Sequence, residues 1–287
     1  MRWQGSGVEG GDVEDRRNMR PVAVGGGIVG VIIVLVGAYF GADLRPLAKQ
    51  FEGGGKMEQV GPPVNDKTLA FSKAIMGFNN DVWTEQFRQN GYGVFEKPTM
   101  VLFAEQVSTG GCGTAPSAVG PFYCPADKKV YLDPTFFNEL ERTLGGSKAE
   151  FSQAYVIAHE VGHHVQNLLG YNALEKKFQS REGKNATVRL ELQADYLAGV
   201  WAHHSQQQYD ILEQGDVEEA IKSAKSIGDD RIQKKSQGWV SPEGFTHGSS
   251  EARVRWFNDG LKSGDASKRK LDAFFNSELG KLDPLLR

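Results

Sequence analysis

The feature that most constrains the fold is a pair of histidines inside an apolar run. His159 and His163 are four residues apart, and Glu160 lies between them in His-Glu-Val-Gly-His. Residues 151–158 are mostly apolar, which predicts a buried helix rather than a solvated charged face. Gly162 inside this helix indicates close packing against another element. On a helix the two imidazoles share one face, where they can bind one metal ion with Glu160 beside it.

A third ligand is expected on a second helical stretch, Thr187 to His203. Glu191 and Asp195 are four residues apart there, so they share a helix face within an otherwise largely apolar run. We expect Glu191 to reach the metal and Asp195 to accept the N–H of His159. Two imidazoles and one carboxylate leave a position open on a tetrahedral zinc ion, which is the arrangement of catalytic sites.

Three other histidines compete for the same metal. His164 points about 100° away from His163 on the helix, and we interpret it as structural or solvent-facing. His203 and His204 lie roughly two to three turns beyond Glu191, too far along the helix to share its metal. The predicted ligand set therefore excludes all three.

These motifs resemble those of known families. His159-Glu160-x-x-His163 followed by Glu191-x-x-x-Asp195 is similar to the gluzincin pattern of thermolysin-like peptidases, whereas the metzincin pattern needs a histidine where the chain has Leu169. A closer resemblance, to the bacterial predicted neutral zinc metallopeptidase family, covers nearly the whole chain. It rests on Met1-Arg-Trp-Gln, Val13-Glu-Asp-Arg-Arg17, Gly111-Cys-Gly, Gly120-Pro-Phe-Tyr-Cys124-Pro, Val130-Tyr-Leu-Asp133, Ala158-His-Glu-Val-Gly-His-His-Val-Gln166, Glu191-Leu-Gln-Ala-Asp195 and His247-Gly-Ser-Ser-Glu-x-Arg253.

The resemblance implies a zinc peptidase with one Zn²⁺ per chain. It implies that His159, His163 and Glu191 bind the metal and that Asp195 supports a ligand histidine. The residues lead to the same chemistry, because zinc activates water near neutral pH and a neighbouring carboxylate can move its proton. Glu160 is the predicted proton shuttle.

A second constraint is the uncharged run Val22 to Ala42, about 21 residues, which is long enough to cross a bilayer as a helix. We interpret residues 21–42 as a transmembrane anchor between a cytoplasmic segment, residues 1–20, and a flexible linker, residues 43–64. A cleaved signal peptide is the alternative. The run exceeds the usual apolar length of such peptides, and the flank before it carries acids.

Charge and cysteine content predict the orientation of this anchor. Basic residues are slightly more frequent before the run than after it, which favours a single-pass protein of the bacterial cell membrane with its N-terminus inside. Cys112 and Cys124 are the only two cysteines, and both follow the run. A disulfide in an extracytoplasmic domain is the simplest account. A second metal site or two free thiols remain open, although two cysteines are too few for structural zinc.

Residues 65–287 are predicted to form one metallopeptidase domain of the α+β class. Apolar residues from Leu69 to Trp83 recur at helical spacing and indicate a core helix. Thr99–Phe103 and Lys129–Leu132 are short β-rich runs, which predict a small antiparallel sheet beside a mainly helical, zincin-like body. By analogy with gluzincins, Lys129–Asp133 is the candidate edge strand that binds an extended peptide by strand addition.

His247 lies in Thr-His-Gly-Ser-Ser, ahead of another helical pattern. An imidazole from a separate segment can donate a hydrogen bond to the oxyanion that develops beside the metal. A capping or surface role is equally open, because Ser249 or Ser250 with Arg253 already explains a helix start. His247 is therefore a candidate catalytic residue.

The sequence thus predicts a membrane-anchored zinc endopeptidase that acts on a peptide or protein. The net charge of −3 and the lack of a basic patch argue against nucleic acid as a partner. One alternative is a zinc-binding scaffold or inactive homologue, which Glu160 argues against because structural zinc needs no proton shuttle. Another is a zinc amidase acting on cell-wall peptides, which the same residues could perform.

Overall fold

The structure is a computed structural model that describes residues 1–21, 57–59 and 66–286. Residues 22–42 of the predicted anchor and most of the predicted linker lie outside the described residues. Within the described ranges, no helix is long and apolar enough to cross a membrane.

Helices make up most of the described chain. In chain order they are α1 (Lys67–Asn90), α2 (Phe136–Glu139, continued by a π turn over Leu140–Leu144), α3 (Glu150–Leu169), α4 (Tyr171–Glu182), α5 (Ala186–Tyr209), α6 (Asp216–Ser226), α7 (Asp229–Gln237), α8 (Ser250–Ser263), α9 (Lys268–Asn276) and α10 (Leu279–Leu282). The predicted histidine-bearing helix is α3, and the predicted second helix is α5. Both lie in the core with α8, so the expected α+β body is present.

Eight short strands accompany these helices in the described part of the chain. They are β1 (Val13–Asp15), β2 (Met19–Pro21), β3 (Met57–Gln59), β4 (Thr99–Leu102), β5 (Gln106–Ser108), β6 (Thr114–Pro116), β7 (Phe122–Cys124) and β8 (Lys129–Leu132). The main sheet has the order β1-β4-β8-β7, and β2 with β3 and β5 with β6 form separate antiparallel pairs.

The main sheet is mixed, not antiparallel as predicted. β1 pairs in parallel with β4, β4 pairs in parallel with β8, and only β7 with β8 is antiparallel. The path of the chain explains the parallel pairs, because α1 carries it back between β1 and β4 and three strands return it between β4 and β8. The predicted edge strand Lys129–Asp133 is also wrong, since β8 lies inside the sheet and β7 is the edge beside it.

The N-terminal segment is part of this body. Trp3 is buried and packs edge-to-face on Phe71 of α1, with ring centroids 5.5 Å apart. Gly11 lies so close to α1 that a Cβ there would be 2.5 Å from the Cβ of Met76. Together with β1 in the main sheet, these contacts contradict the predicted boundary between a segment 1–20 and a domain that begins at residue 65.

This packing also bears on the predicted topology. Residues 1–21 and 66–286 share one sheet and one core, so they lie on the same side of any membrane. A single crossing that separates a cytoplasmic N-terminus from an extracytoplasmic domain is incompatible with that arrangement. Local sequence patterns do not predict that the N-terminal segment joins the main sheet, because three-residue strands carry little periodicity.

Glycines bring the central helices unusually close. At Gly260 of α8 a Cβ would lie 2.0 Å from the carbonyl oxygen of Tyr196, and at Gly199 of α5 it would lie 2.1 Å from that of Phe257. Gly162 of α3 faces α5, and a Cβ there would lie 3.2 Å from the carbonyl oxygen of Ala194. The predicted close packing at Gly162 is thus present, and α5 is held between α3 and α8.

Candidate metal centre

Three predicted ligands meet between α3 and α5. Donor atoms of His159, His163 and Glu191 all lie within 4.8 Å of one another. Nε2 of His159 is 3.3 Å from one carboxylate oxygen of Glu191, and Nε2 of His163 is 3.4 Å from the other. Zinc bonds of about 2.0–2.1 Å at tetrahedral angles place neighbouring donors about 3.3 Å apart. The donor types and these separations therefore fit a zinc ion.

A hydrogen bond on the opposite nitrogen orients each imidazole. Nδ1 of His159 lies 2.9 Å from Oδ1 of Asp195, and Nδ1 of His163 lies 2.8 Å from Oε1 of Gln166. The Gln166 amide is fixed in turn, because its Nε2 donates to the carbonyl of Leu190 at 2.6 Å. Since both acceptors call for a proton on Nδ1, both Nε2 lone pairs are left to face the metal position.

Asp195 is enclosed by donors. Its carboxylate accepts two hydrogen bonds from Arg253, Nε to Oδ2 at 2.9 Å and Nη2 to Oδ1 at 3.1 Å, and one from the hydroxyl of Tyr155 at 2.5 Å. Asp195 is fully buried and Arg253 is 2 % exposed. A buried carboxylate needs such pairing, because an unpaired charge in the core is strongly unfavourable.

The electrostatics of the site favour a cation. Burial lowers the pKa of His159, but the charge of Asp195 outweighs it and raises that pKa to about 10. Burial likewise opposes charge on Glu191, yet the charge of His163 holds its pKa well below the ordinary value. In the metal-free protein the carboxylates of Glu191 and Asp195 thus favour a proton on His159. A Zn²⁺ ion at the same place would supply the positive charge that these carboxylates favour.

Glu160 follows His159 on α3 and is only 7 % exposed. Burial lowers the pKa of His163, and the charges of Glu191 and, to a smaller extent, Glu160 raise it, so the Glu160 carboxylate lies within electrostatic reach of that ligand. Within the described residues, no side chain forms an ion pair or hydrogen bond with Glu160. The carboxylate is therefore not committed to a structural interaction.

His247 reaches the same region from the segment before α8. Its ring is 51 % exposed, and its Nδ1 lies 3.2 Å from Oδ1 of Asp229, the first residue of α7. The other oxygen of Asp229 accepts the backbone N–H groups of residues 246, 247 and 248 at 2.6–2.9 Å. Partial burial lowers the pKa of His247, but the Asp229 hydrogen bond and the charge of Glu191 raise it above its ordinary value.

The capping role that was open for His247 falls to another residue. Ser249 is the N-cap of α8, and its hydroxyl accepts the N–H of Ala252 at 3.2 Å. His247 is thus free of helix capping and is held by Asp229 within electrostatic reach of Glu191.

The competing histidines all bond elsewhere. His164 is buried, with Nδ1 2.9 Å from the hydroxyl of Tyr123 and Nε2 2.6 Å from the carbonyl of Glu96. His203 and His204 contact backbone carbonyls of α8 and of the turn after it. All three are structural, and none reaches the metal position.

The two cysteines form the predicted disulfide. Cys112 and Cys124 are bonded and enclose the loop that leads into the edge strand β7. Tyr123 of that strand accepts a hydrogen bond from Asn167 and donates to His164, both on α3. The loop is therefore connected to the helix that carries the metal ligands.

A cavity of about 430 Å³ lies near the N-terminal end of α5. Its lining residues come from the end of α4, the start of α5 and the segment before α8: Gln179, Gly183, Lys184, Thr187 and Thr246. Thr187 precedes Glu191 by one helical turn, and Thr246 precedes His247. The cavity therefore lies about one helical turn from Glu191 along α5.

Sequence reasoning missed three residues that support the site. Gln166 could have been found, because it follows His163 at the i, i+3 spacing of facing side chains on a helix. Arg253 was noted only as part of a helix start, and Asp229 was not noted. Neither carries a local signal, since each pairs with a residue that is distant in sequence.

Comparisons with known proteins show the family to which the chain belongs. The chain is 42% identical over 289 residues to the uncharacterized protein YpfJ of Escherichia coli (strain K12), which covers 93% of this chain and 97% of that protein. It is 44% identical over 196 residues to the uncharacterized protein Rv2575 of Mycobacterium tuberculosis (strain ATCC 25618 / H37Rv), which covers 65% of each. No solved structure matches the chain significantly. The sequence profile of one family matches residues 1–274, and the chain therefore belongs to that family, described as "Putative neutral zinc metallopeptidase".

Proposed function

We propose that this chain is a zinc-dependent endopeptidase that hydrolyses peptide bonds at the site formed by His159, His163 and Glu191. The observation that carries the proposal is the ligand geometry, in which each Nε2 lies 3.3–3.4 Å from one Glu191 oxygen. Family membership agrees with it. Glu160, beside the ligands and without a partner in the described chain, distinguishes this site from a purely structural one.

The roles of the side chains follow from their positions. A bound zinc ion would supply Lewis-acid chemistry, activating water at neutral pH and polarising the scissile carbonyl. Glu160 accepts the proton of the attacking water and delivers it to the leaving nitrogen. His247 donates a hydrogen bond to the carbonyl oxygen as negative charge develops on it, and Asp229 holds the ring in place for that step. The cavity lined by Thr187 and Thr246 admits a substrate side chain.

The location of the protein is a separate proposal. We place the folded body outside the cytoplasm, with residues 22–42 attached to the membrane from that same side and not as a single crossing. The Cys112–Cys124 disulfide supports an oxidising compartment, and the apolar composition of residues 22–42 supports contact with the membrane. Thiol labelling of cells with and without a reductant tests this, since both cysteines should react only after reduction.

The peptidase proposal is tested with the full chain. Elemental analysis should give one zinc per chain, and casein or a peptide library should be cleaved in a chelator-sensitive way. Glu160→Gln should keep the zinc and lower the cleavage rate by about 10²–10⁴-fold, whereas Glu191→Ala should lose zinc. Glu175→Gln is the matched control, because Glu175 is as buried as Glu160 but bonds to Gln179 on α4.

The alternatives give different results in the same assays. Zinc binding with cleavage only of cell-wall peptides would favour the amidase. Zinc binding without hydrolysis of either substrate class would favour a scaffold. A Glu191→Ala variant that retains full zinc would refute the proposed ligand set.

A further inference from the structure

We propose that Arg253 is a positioning residue of the metal centre, which fixes the carboxylate of Asp195 and through it the imidazole of His159. The proposal rests on the proposed function, because it assigns Arg253 a part in zinc binding. It goes beyond the predicted ligands and proton shuttle, none of which lies on α8.

The hydrogen bonds to Asp195 leave its carboxylate no freedom. Oδ1 accepts from Tyr155, from His159 and from Nη2 of Arg253, while Oδ2 accepts from Nε of Arg253. Three donors therefore converge on Oδ1 and one holds Oδ2, so both oxygens of the carboxylate are fixed. The two-point contact from a planar guanidinium sets the plane of the carboxylate, which a single donor would leave free to rotate.

The plane of the Asp195 carboxylate sets the orientation of the His159 imidazole. Its Nδ1 bonds to Oδ1 at 2.9 Å, and its Nε2 lies on the opposite side of the ring, 3.3 Å from Glu191. Rotation of the Asp195 carboxylate would move Oδ1, and the ring would follow it away from the other ligands. The chain Arg253–Asp195–His159 therefore transmits the position of α8 to the metal position.

The packing of α8 on α5 fixes the backbone position of Arg253. Arg253 lies in the first turn of α8, directly after the segment that carries His247. Gly199 and Gly260 hold α8 against α5, the helix that carries both Asp195 and Glu191. One helix thus braces a zinc ligand through Arg253 and presents His247 from its N-terminal end.

A purely structural role is the competing explanation, because Arg253 also neutralises a buried carboxylate. Arg189 provides a matched comparison. It is equally buried on α5, two residues from Glu191, but its guanidinium bonds to Glu182 and to backbone carbonyls of residues 274 and 277. Arg189 therefore shares the burial of Arg253 without contact to Asp195.

The experiment measures zinc affinity by chelator competition and the visible spectrum of the Co²⁺-loaded full-length chain, both well below the unfolding temperature. Arg253→Met should weaken zinc binding by about 10–100-fold and change the cobalt bands, which report ligand geometry. Asp195→Asn should do the same, and the double variant should be no weaker than Asp195→Asn alone, because both act through one contact. Arg189→Met should lower thermal stability but leave affinity and spectrum unchanged.

A second substitution covers the case in which Arg253→Met does not fold. Arg253→Lys keeps the positive charge beside Asp195 but loses the two-point contact, so it should fold and still show weakened zinc binding with altered cobalt bands. Wild-type affinity and spectrum in the Arg253 variants that fold, or equal losses in Arg189→Met, would overturn the inference and leave the proposed function intact. Absence of zinc binding in the wild-type chain would overturn both.

Discussion

The close contact of α8 with α5 makes a sharp prediction for Gly260→Ala. Inside a helix, alanine is normally favoured over glycine by about 1 kcal/mol. Here the added Cβ would lie 2.0 Å from the carbonyl oxygen of Tyr196 and 2.9 Å from the backbone nitrogen of Val200. Both neighbours are backbone atoms, so no side chain can rotate away to make room.

The size of the effect follows from this overlap. Real Cβ contacts essentially never fall below 3.0 Å, so α8 must move by about 1 Å to reach even that distance. Overpacking of this kind costs about 3 kcal/mol or more, and the propensity gain offsets about 1 kcal/mol of it. A net loss of about 2 kcal/mol corresponds to a fall in Tm of about 4–8 °C for a domain of this size.

The displacement should also reach the metal centre. Arg253 and His247 move with α8, and a shift of about 1 Å in such groups can lower a rate about 10²-fold. Thermal unfolding of the metal-free protein and peptidase kinetics of the zinc-loaded protein measure the two effects. Lys262→Ala is the control, because Lys262 is exposed on the same helix and should change Tm little. A Gly260→Ala protein with wild-type or higher Tm would refute the packing argument.

Three further predictions concern pH, a ligand histidine and the disulfide. In the metal-free protein burial lowers the pKa of His247 but Asp229 raises it above its ordinary value, so the stability from this pair is full below about pH 6.5 and is lost as pH rises through the raised pKa. Urea unfolding at acid and alkaline pH should show a larger loss in the wild type than in Asp229→Asn, because the raised pKa of His159 remains in both. Gln166→Leu should weaken zinc binding by about 10–100-fold in chelator competition. Replacing Cys112 and Cys124 by serine opens a loop with a sequence separation of 12 and should lower the free energy of unfolding by about 3 kcal/mol, measured in urea.

The parts of the site that lie on single helices could be predicted from sequence. His159 with His163, and Glu191 with Asp195, share the i, i+4 spacing that places side chains on one helix face. The chemistry of imidazole and carboxylate then indicates zinc. Helical periodicity is a local property of the sequence, so it can be recognised without knowledge of the rest of the fold.

The parts that depend on distant contacts could not be predicted. Arg253 reaches Asp195 from 58 residues away, and nothing in the neighbouring sequence distinguishes it from a surface arginine. The pairing of β1 with β4 and the interior position of β8 depend on how α1 and the later strands return the chain. From the sequence alone, Gly260 predicts only a locally less stable helix. Its close packing against Tyr196 is visible only in the structure.

The antiparallel pairing of β2 with β3 places Pro21 opposite Met57, so the chain leaves the body and re-enters it at neighbouring positions. Pro21 and Met57 therefore lie at adjacent ends of one antiparallel pair, a kind of position that tolerates exchange of the intervening segment. A chain cut at residue 65 would lose Trp3 and β1, an edge of the main sheet. A chain in which a two-residue turn replaces residues 22–56 would keep both, because such turns join adjacent antiparallel strands.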